Sequence, residues 1–229
     1  MIVFDRVTVE VAAAERTKRL LDDLSCRLDS RRVALIGDNG SGKSTLLRAI
    51  DGLIRPDRGR IEVNGLDPAT QTSQVRRQVG FVFTDPMSQL LMPTAVEDVE
   101  LSLTRLAPQR AERSRRARQA LAEWGLEKVA ERSVYDLSGG ERQLVALISV
   151  LATDPAIVLA DEPTTLLDRR HRRRLEEVFD RLSQDLVVAT HDLDWAARFE
   201  QVVLIDQGRV VAEGGPQETI AHYRRLTDG

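Results

Sequence analysis

The chain is poor in cysteine and has no long apolar run. Cys26 is the single cysteine among 229 residues, so no internal disulfide can form, which suits a reducing compartment such as the cytosol. No apolar run approaches the roughly 20 residues that a bilayer-spanning helix needs. The opening residues Met1-Ile2-Val3-Phe4-Asp5-Arg6 carry no secretory pattern. Any link to a membrane is therefore expected to run through a partner protein. Net positive charge is missing as well: the formal charge is −3, which argues against a dedicated nucleic-acid binder. Internal repeats and low-complexity stretches are absent. What is present, 42% hydrophobic and 30% charged residues, fits a globular protein without a disordered tail. A chain of this length can remove roughly 70% of its unfolded surface on folding.

Several short apolar runs end at polar or glycine residues: Val33 to Ile36, Val79 to Phe83, Ile157 to Ala160, Leu186 to Ala189 and Val202 to Ile205. Unbroken runs of this kind suit strands buried on both faces of a mainly parallel sheet. Helical patterns such as Ser44 to Leu53 and Leu175 to Leu182 alternate with them, so the class is α/β. The segments Ile2 to Val11 and Val202 to Val211 read as antiparallel hairpin material, with Gln207-Gly208 a tight turn. From about Thr84 to Leu151 strand signal fades. Thr94 and Glu97 form a capping-box pattern, and Gln109 to Trp124 reads as a helix with Ala117, Ala120, Leu121 and Trp124 on one face. The expected organisation is one domain: residues 1–83 and 155–229 form an α/β core with an antiparallel β edge, and 84–154 form an inserted helical subdomain. The basic runs Arg113 to Arg118 and Arg169 to Arg174 are read as solvated helix faces; Arg172 with Glu176 and Arg173 with Glu177 fall at the i,i+4 spacing that supports a helix.

Gly37 to Thr45 read G-D-N-G-S-G-K-S-T, a complete phosphate-binding loop between a strand pattern and a helix pattern. Glycines let the backbone wrap closely around a polyphosphate while successive N–H groups and the helix N-terminus face the anion. The expected nucleotide contacts are Asn39, Gly40, Ser41, Gly42, Lys43, Ser44 and Thr45, with Lys43 on the β- and γ-phosphates and the Ser44 hydroxyl on Mg²⁺. A second element, Ile157-Val158-Leu159-Ala160-Asp161-Glu162, is an apolar strand that ends in two carboxylates. Ligands bind beyond the carboxyl ends of strands in open α/β sheets. Asp161 is therefore expected at Mg²⁺, and Glu162, one residue farther out, at an attacking water. A third, Leu137-Ser138-Gly139-Gly140-Glu141-Arg142-Gln143, opens an apolar helix with a serine cap and two glycines, so Ser138, Gly139 and Gly140 form a second candidate anion site.

Gly37–Thr45, Leu137–Gln143, Ile157–Glu162, Thr165-Leu166-Leu167-Asp168 and Thr190-His191-Asp192 occur in an order that resembles ABC-transporter ATPase subunits over essentially the whole chain. The resemblance implies a P-loop NTPase (RecA-like) core with an N-terminal antiparallel β subdomain and an inserted α-helical signature subdomain. It implies ATP and Mg²⁺ as cofactors, Leu137–Gln143 as the signature motif, Asp168 in the D-loop and His191 as the switch histidine. Glu162 would be the general base and His191 would contact the γ-phosphate or the water. Two subunits, a homodimer or a heterodimer with a paralogue, would sandwich two ATP molecules head to tail, with Ser138 and Gly140 of one facing the phosphate loop of the other. His171 and His222 belong to no motif and are expected at the surface.

Val79 to Leu90, Pro93-Thr94 and Glu97-Asp98-Val99 resemble the energy-coupling factor branch, closest to its biotin and cobalt/nickel systems. That likeness implies an integral membrane transport subunit and a substrate-binding membrane subunit as partners, at the cytoplasmic face of the cell membrane, and a biotin importer first. Alternatives are the ATPase of a binding-protein-dependent importer or exporter, or a soluble ABC protein, whose usual second cassette or coiled-coil insertion is missing. Two positions depart from the family pattern. Thr84 stands where glutamine is usual, which is expected to change Mg²⁺ contact. Val11 stands near the usual aromatic platform for adenine, which predicts modest base selectivity.

Overall fold

The computed structural model describes residues 1–13 and 16–227. In chain order the strands are β1 (Ile2–Ala13), β2 (Arg16–Leu28), β3 (Arg32–Ile36), β4 (Arg58–Val63), β5 (Val79–Val82), β6 (Ile157–Asp161), β7 (Asp185–Ala189), β8 (Gln201–Asp206) and β9 (Arg209–Gly214). The helices are α1 (Lys43–Ile50), α2 (Thr72–Val75), α3 (Ala95–Leu103), α4 (Arg110–Glu123), α5 (Gly139–Leu151), α6 (Arg169–Asp180), α7 (Leu193–Ala196) and α8 (Pro216–Thr227). The chain divides into two compact units. One comprises Met1–Val79, Ile157–Glu162 and Gln184–Gly229; the other comprises Gly80–Ala156 and Pro163–Ser183. Helix α6 thus groups with α3, α4 and α5, whereas the sequence reading stops the helical insertion at residue 154.

In the first unit β6, β7, β3, β8 and β9 lie side by side in that order. The β6/β7, β7/β3 and β3/β8 pairs are parallel, and β8/β9 is an antiparallel hairpin. The hairpin turns at Gln207 and Gly208, both with positive φ, the geometry of a two-residue turn that follows strand twist. The central strands are the unbroken apolar runs: every residue of β6 is buried, as are Val33 to Ile36 of β3. A second, antiparallel sheet has the order β2-β1-β4. Its alternation is interrupted where Arg6 and Asp23 take positive φ and the β1/β2 register shifts. Phe4 and Val7, like Leu21 and Leu24, are therefore three residues apart yet all buried.

In the second unit the Thr94–Glu97 capping box opens α3: Thr94 Oγ1 accepts from Glu97 N–H, and Glu97 Oε2 accepts from Thr94 N–H at 3.1 Å. The buried Asp98 carboxylate then accepts from Leu91 N–H at 2.8 Å and from the Ser149 hydroxyl at 3.0 Å, tying α3 to α5. Helix α4 buries Ala117 and Leu121 and keeps its arginines outside. Arg115 and Arg116 both bond Glu112, at 2.8 and 2.6 Å, and their guanidinium groups hold its carboxyl down at about 2. Arg115 and Arg116 thus pair with Glu112 at the i,i+3 and i,i+4 spacings, while Arg113 bonds the carbonyls of Ala107 and Pro108.

Candidate nucleotide site

Strand β3 delivers the chain to the phosphate loop and α1 carries it away. Gly42, just before α1, has φ 117, and a Cβ there would stand 2.9 Å from the Leu20 carbonyl oxygen; only glycine fits both the conformation and the space. The loop is braced by backbone bonds from Ser41 N–H to Asp38 O (3.1 Å) and from Gly208 N–H to Ser41 O (2.7 Å). Lys43, 5% exposed, folds back on the loop: its Nζ donates to Gly37 O at 2.7 Å and to Asp38 O at 2.9 Å. Burial lowers its pKa, and the charges of Glu162, Asp161 and Asp38 oppose that shift.

The carboxyl end of β6 lies beside the start of α1. The Ser44 hydroxyl donates to Asp161 Oδ1 at 2.7 Å. Asp161 is 3% exposed, and burial raises its pKa against the bond from Ser44 and the charge of Arg48 at 3.9 Å. The next residue, Glu162, has φ 48, an uncommon backbone conformation outside glycine, and its N–H bonds Ala189 O at 3.0 Å. Glu162 Oε2 lies 2.7 Å from His191 Nδ1; in the tautomer with a proton on Nδ1 the ring donates to the carboxylate. Lys43, Ser44, Asp161, Glu162 and His191 all belong to the first unit. Asn39 and Gly40 sit exposed at the loop's tip, and Thr45 is half-buried in α1.

These residues fit a polyphosphate with a hard cation. The Ser41 hydroxyl is buried without a hydrogen-bond partner among the described residues, so an acceptor or donor is wanted inside the loop. No cluster of three or more His, Cys, Asp or Glu that could hold a metal occurs among the described residues. Mg²⁺ does not need one, because it is usually held by one or two protein oxygens together with water and substrate phosphates. The Ser44–Asp161 pair supplies such oxygens.

The second unit contains the other motif. Ser138 caps α5 in a full capping box, its hydroxyl accepting from Glu141 N–H while Glu141 Oε2 accepts from the Ser138 N–H (2.8 Å) and hydroxyl (2.7 Å). These bonds lower the Glu141 pKa. Gly139 and Gly140 form the first turn of α5. Asp168 caps α6, accepting from the N–H of Arg170 and His171, and its Oδ2 lies 2.8 Å from His171 Nδ1. His171 lies at the surface as expected, its side chain 41% exposed, yet a Cβ on Gly140 would meet its Cδ2 at 2.5 Å. His222, on α8, is half-buried. Asp168 and the Gly139–Gly140 turn are therefore linked inside this unit through a ring that carries no motif of its own.

Gln89 does not take over the role of the glutamine missing at position 84. Its Oε1 accepts from Phe83 N–H at 3.2 Å and its Nε2 donates to Ala146 O at 2.9 Å, which commits the amide to holding the segment after β5 onto α5. Val11 lies on β1, 40% exposed.

Comparison with known proteins follows the same lines. The ABC transporter family model matches residues 21–165. The chain belongs to the ABC transporter family. It is 41% identical over 206 residues, 90% of this chain and 92% of the relative, to the biotin transport ATP-binding protein BioM of Rhizobium etli. It is 35% identical to the energy-coupling factor transporter ATP-binding protein EcfA1 of Latilactobacillus sakei, over 93% of this chain and 79% of that one. Among solved structures, the ATP-binding cassette MJ0796, in a dimeric post-hydrolysis state with ADP and Pi, matches with a TM-score of 0.84 at 31% identity, covering 94% of this chain and 99% of that chain. CbiO1 of Clostridium perfringens, part of the ABC transporter complex cbiONQ, matches with a TM-score of 0.82 at 25% identity, over 99% and 93%. The fold is that of a P-loop NTPase, and the protein is an ATP-binding ABC ATPase. Among the described residues no helix is long and apolar enough to cross a membrane.

Proposed function

We propose that this ABC ATPase is the energy-coupling subunit of an importer of the energy-coupling factor type, with biotin as the favoured solute and cobalt or nickel ion as the second. The likeness to BioM over nine-tenths of both chains carries this reading; the metal-ion alternative rests on the resemblance of Val79 to Leu90 to the cobalt/nickel systems. The protein would work at the cytoplasmic face of the cell membrane, bound to a transmembrane transport subunit and a substrate-binding membrane subunit. It would close head to tail on a second ATPase, a copy or a paralogue, with residues 84–154 as the helical insertion that carries the signature. Ser138, Gly139 and Gly140 would then meet the phosphate of the partner's nucleotide.

In the proposed reaction Asn39 to Thr45 wrap the phosphates with backbone N–H groups, and Lys43 turns from the carbonyls of Gly37 and Asp38 to the β- and γ-phosphates. Ser44 and Asp161 would hold Mg²⁺, which would supply charge neutralisation. Glu162, oriented by His191 at 2.7 Å, takes a proton from water. The water oxygen bonds to the γ-phosphorus as the bond from that phosphorus to the β–γ bridging oxygen breaks. ADP and phosphate leave, and Glu162 returns its proton to solvent. Thr84, too short for the usual glutamine contact, would leave Mg²⁺ contact at that position to water. Co-purification tests the assignment: tagged protein from its own cells should bring down a transmembrane subunit together with a small substrate-binding membrane protein. Recovery with a periplasmic-type binding protein, or with no membrane protein at all, would overturn it.

A further inference from the structure

Helix α8 reaches the phosphate loop from outside it. The helix packs on β8 and β9 within the first unit, with Thr219 and Ile220 buried. One turn on, the Tyr223 hydroxyl donates to Asp38 Oδ1 at 2.6 Å, across 185 positions of sequence. Asp38 is the only acidic residue between Gly37 and Thr45. Its backbone carbonyl accepts from Lys43 Nζ at 2.9 Å and from Ser41 N–H at 3.1 Å. Residue 38 is therefore at once the partner of the helix, of the lysine and of the loop's own turn. A carboxylate at the mouth of a polyphosphate cradle repels the ligand unless it is held aside. A phenol donating to it forms a charge-assisted bond that is short and directional. The same bond pushes the phenol up to about 12, so the donor keeps its proton at any working pH.

We propose that Tyr223 is a positioning residue of the phosphate loop: its hydroxyl anchors Asp38 and, through the carbonyl of that residue, the resting place of Lys43, and so sets the loop's affinity for a nucleoside triphosphate. The proposal rests on reading Gly37–Thr45 as the nucleotide site. Loss of the hydroxyl leaves the carboxylate to rotate in front of the phosphates and removes one tether from the loop, while Ser44, Asp161 and Glu162 keep their contacts. Affinity changes and the chemical step does not.

The test is a double-mutant cycle on the full chain, with a fluorescent ATP analogue for binding and phosphate release for turnover. Tyr223→Phe is expected to raise Kd and KM about 3- to 10-fold, the net worth of an ordinary hydrogen bond, with kcat at saturation unchanged. In an Asp38→Ala background the same substitution is expected to change neither. Wild-type affinity in Tyr223→Phe overturns the proposal, and so does equal weakening in the Asp38→Ala background, which would trace the effect to the packing of α8. Lys43→Ala separates the two levels. If the wild type binds, Lys43→Ala does not and Tyr223→Phe matches the wild type, the latch alone fails. If the wild type and Lys43→Ala bind alike, the reading of the loop fails and takes the latch with it.

Discussion

Replacing Gly140 by alanine is expected to destabilise the second unit, and only while His171 is in place. A Cβ on Gly140 would lie 2.5 Å from His171 Cδ2 and 3.0 Å from Cγ. Carbon atoms rest at roughly 3.5–4.0 Å, so the ring must retreat by about 1 Å. It is not free to do so without strain, because Nδ1 is bonded to Asp168 Oδ2 at 2.8 Å. Overpacking of this kind costs about 1–3 kcal/mol, while alanine in a helix regains about 0.5–1 kcal/mol over glycine. The net expectation is a loss of about 1–2 kcal/mol, a factor of about 5–30 in the folded-to-unfolded ratio. In a His171→Ala background the clash disappears and the helix term remains, so Gly140→Ala becomes neutral or slightly stabilising. Urea unfolding followed by Trp124 fluorescence reads this. Trp124 belongs to the second unit and Trp195 to the first, so Trp195→Phe leaves a single reporter on the unit of interest. Equal destabilisation by Gly140→Ala with and without His171 would refute the reasoning.

Three further outcomes are expected. Asp51 is 7% exposed with Arg76 Nε at 3.4 Å, and burial raises its carboxyl to about 6. Its unfolded value is about 3.9. The folded state therefore holds the proton more tightly, and this stabilisation is complete below about pH 4 and lost as pH rises through about 6. The loss is on the order of 3 kcal/mol. Asp51→Asn should flatten that fall in urea unfolding between pH 4.5 and 7.5, and parallel pH curves would count against it. If Val11 takes the place of the aromatic platform, ATP and GTP should bind with similar affinity in competition; a strong ATP preference would mean another residue supplies the platform. Thr84→Gln should shift the Mg²⁺ concentration that half-saturates turnover, and an unmoved titration would contradict a role in metal contact at that position.

What the sequence reveals and what it hides follow from the range of the interactions. The phosphate loop, the Asp161–Glu162 strand end, the Thr94–Glu97 capping box and the Ser138 cap are each set by a few neighbouring residues, and all are legible; that Glu141 closes the Ser138 cap into a second box appears only in the structure. The Gln207-Gly208 turn is legible because its backbone demands those residue types. Strand β2 is not, because Asp23 takes a left-handed conformation and throws Leu21 and Leu24 out of the period-2 pattern that betrays a strand. The extent of the helical unit is hidden as well: whether α6 groups with the core or with α3 to α5 depends on packing between segments distant in sequence. The His171 ring against Gly140 and the Tyr223–Asp38 bond join residues 31 and 185 positions apart. Neither belongs to a motif, and no local rule links them.

The proposed reaction turns on Glu162, held by His191, as the group that would activate the water that cleaves ATP. Turnover of purified Glu162→Gln at saturating Mg²⁺-ATP, measured beside equilibrium binding of the same nucleotide, tests it most directly. Binding is expected to be retained and hydrolysis to slow by about 10²–10⁴-fold, the usual worth of a positioned base. Turnover within a few-fold of wild type, with binding intact, would contradict it.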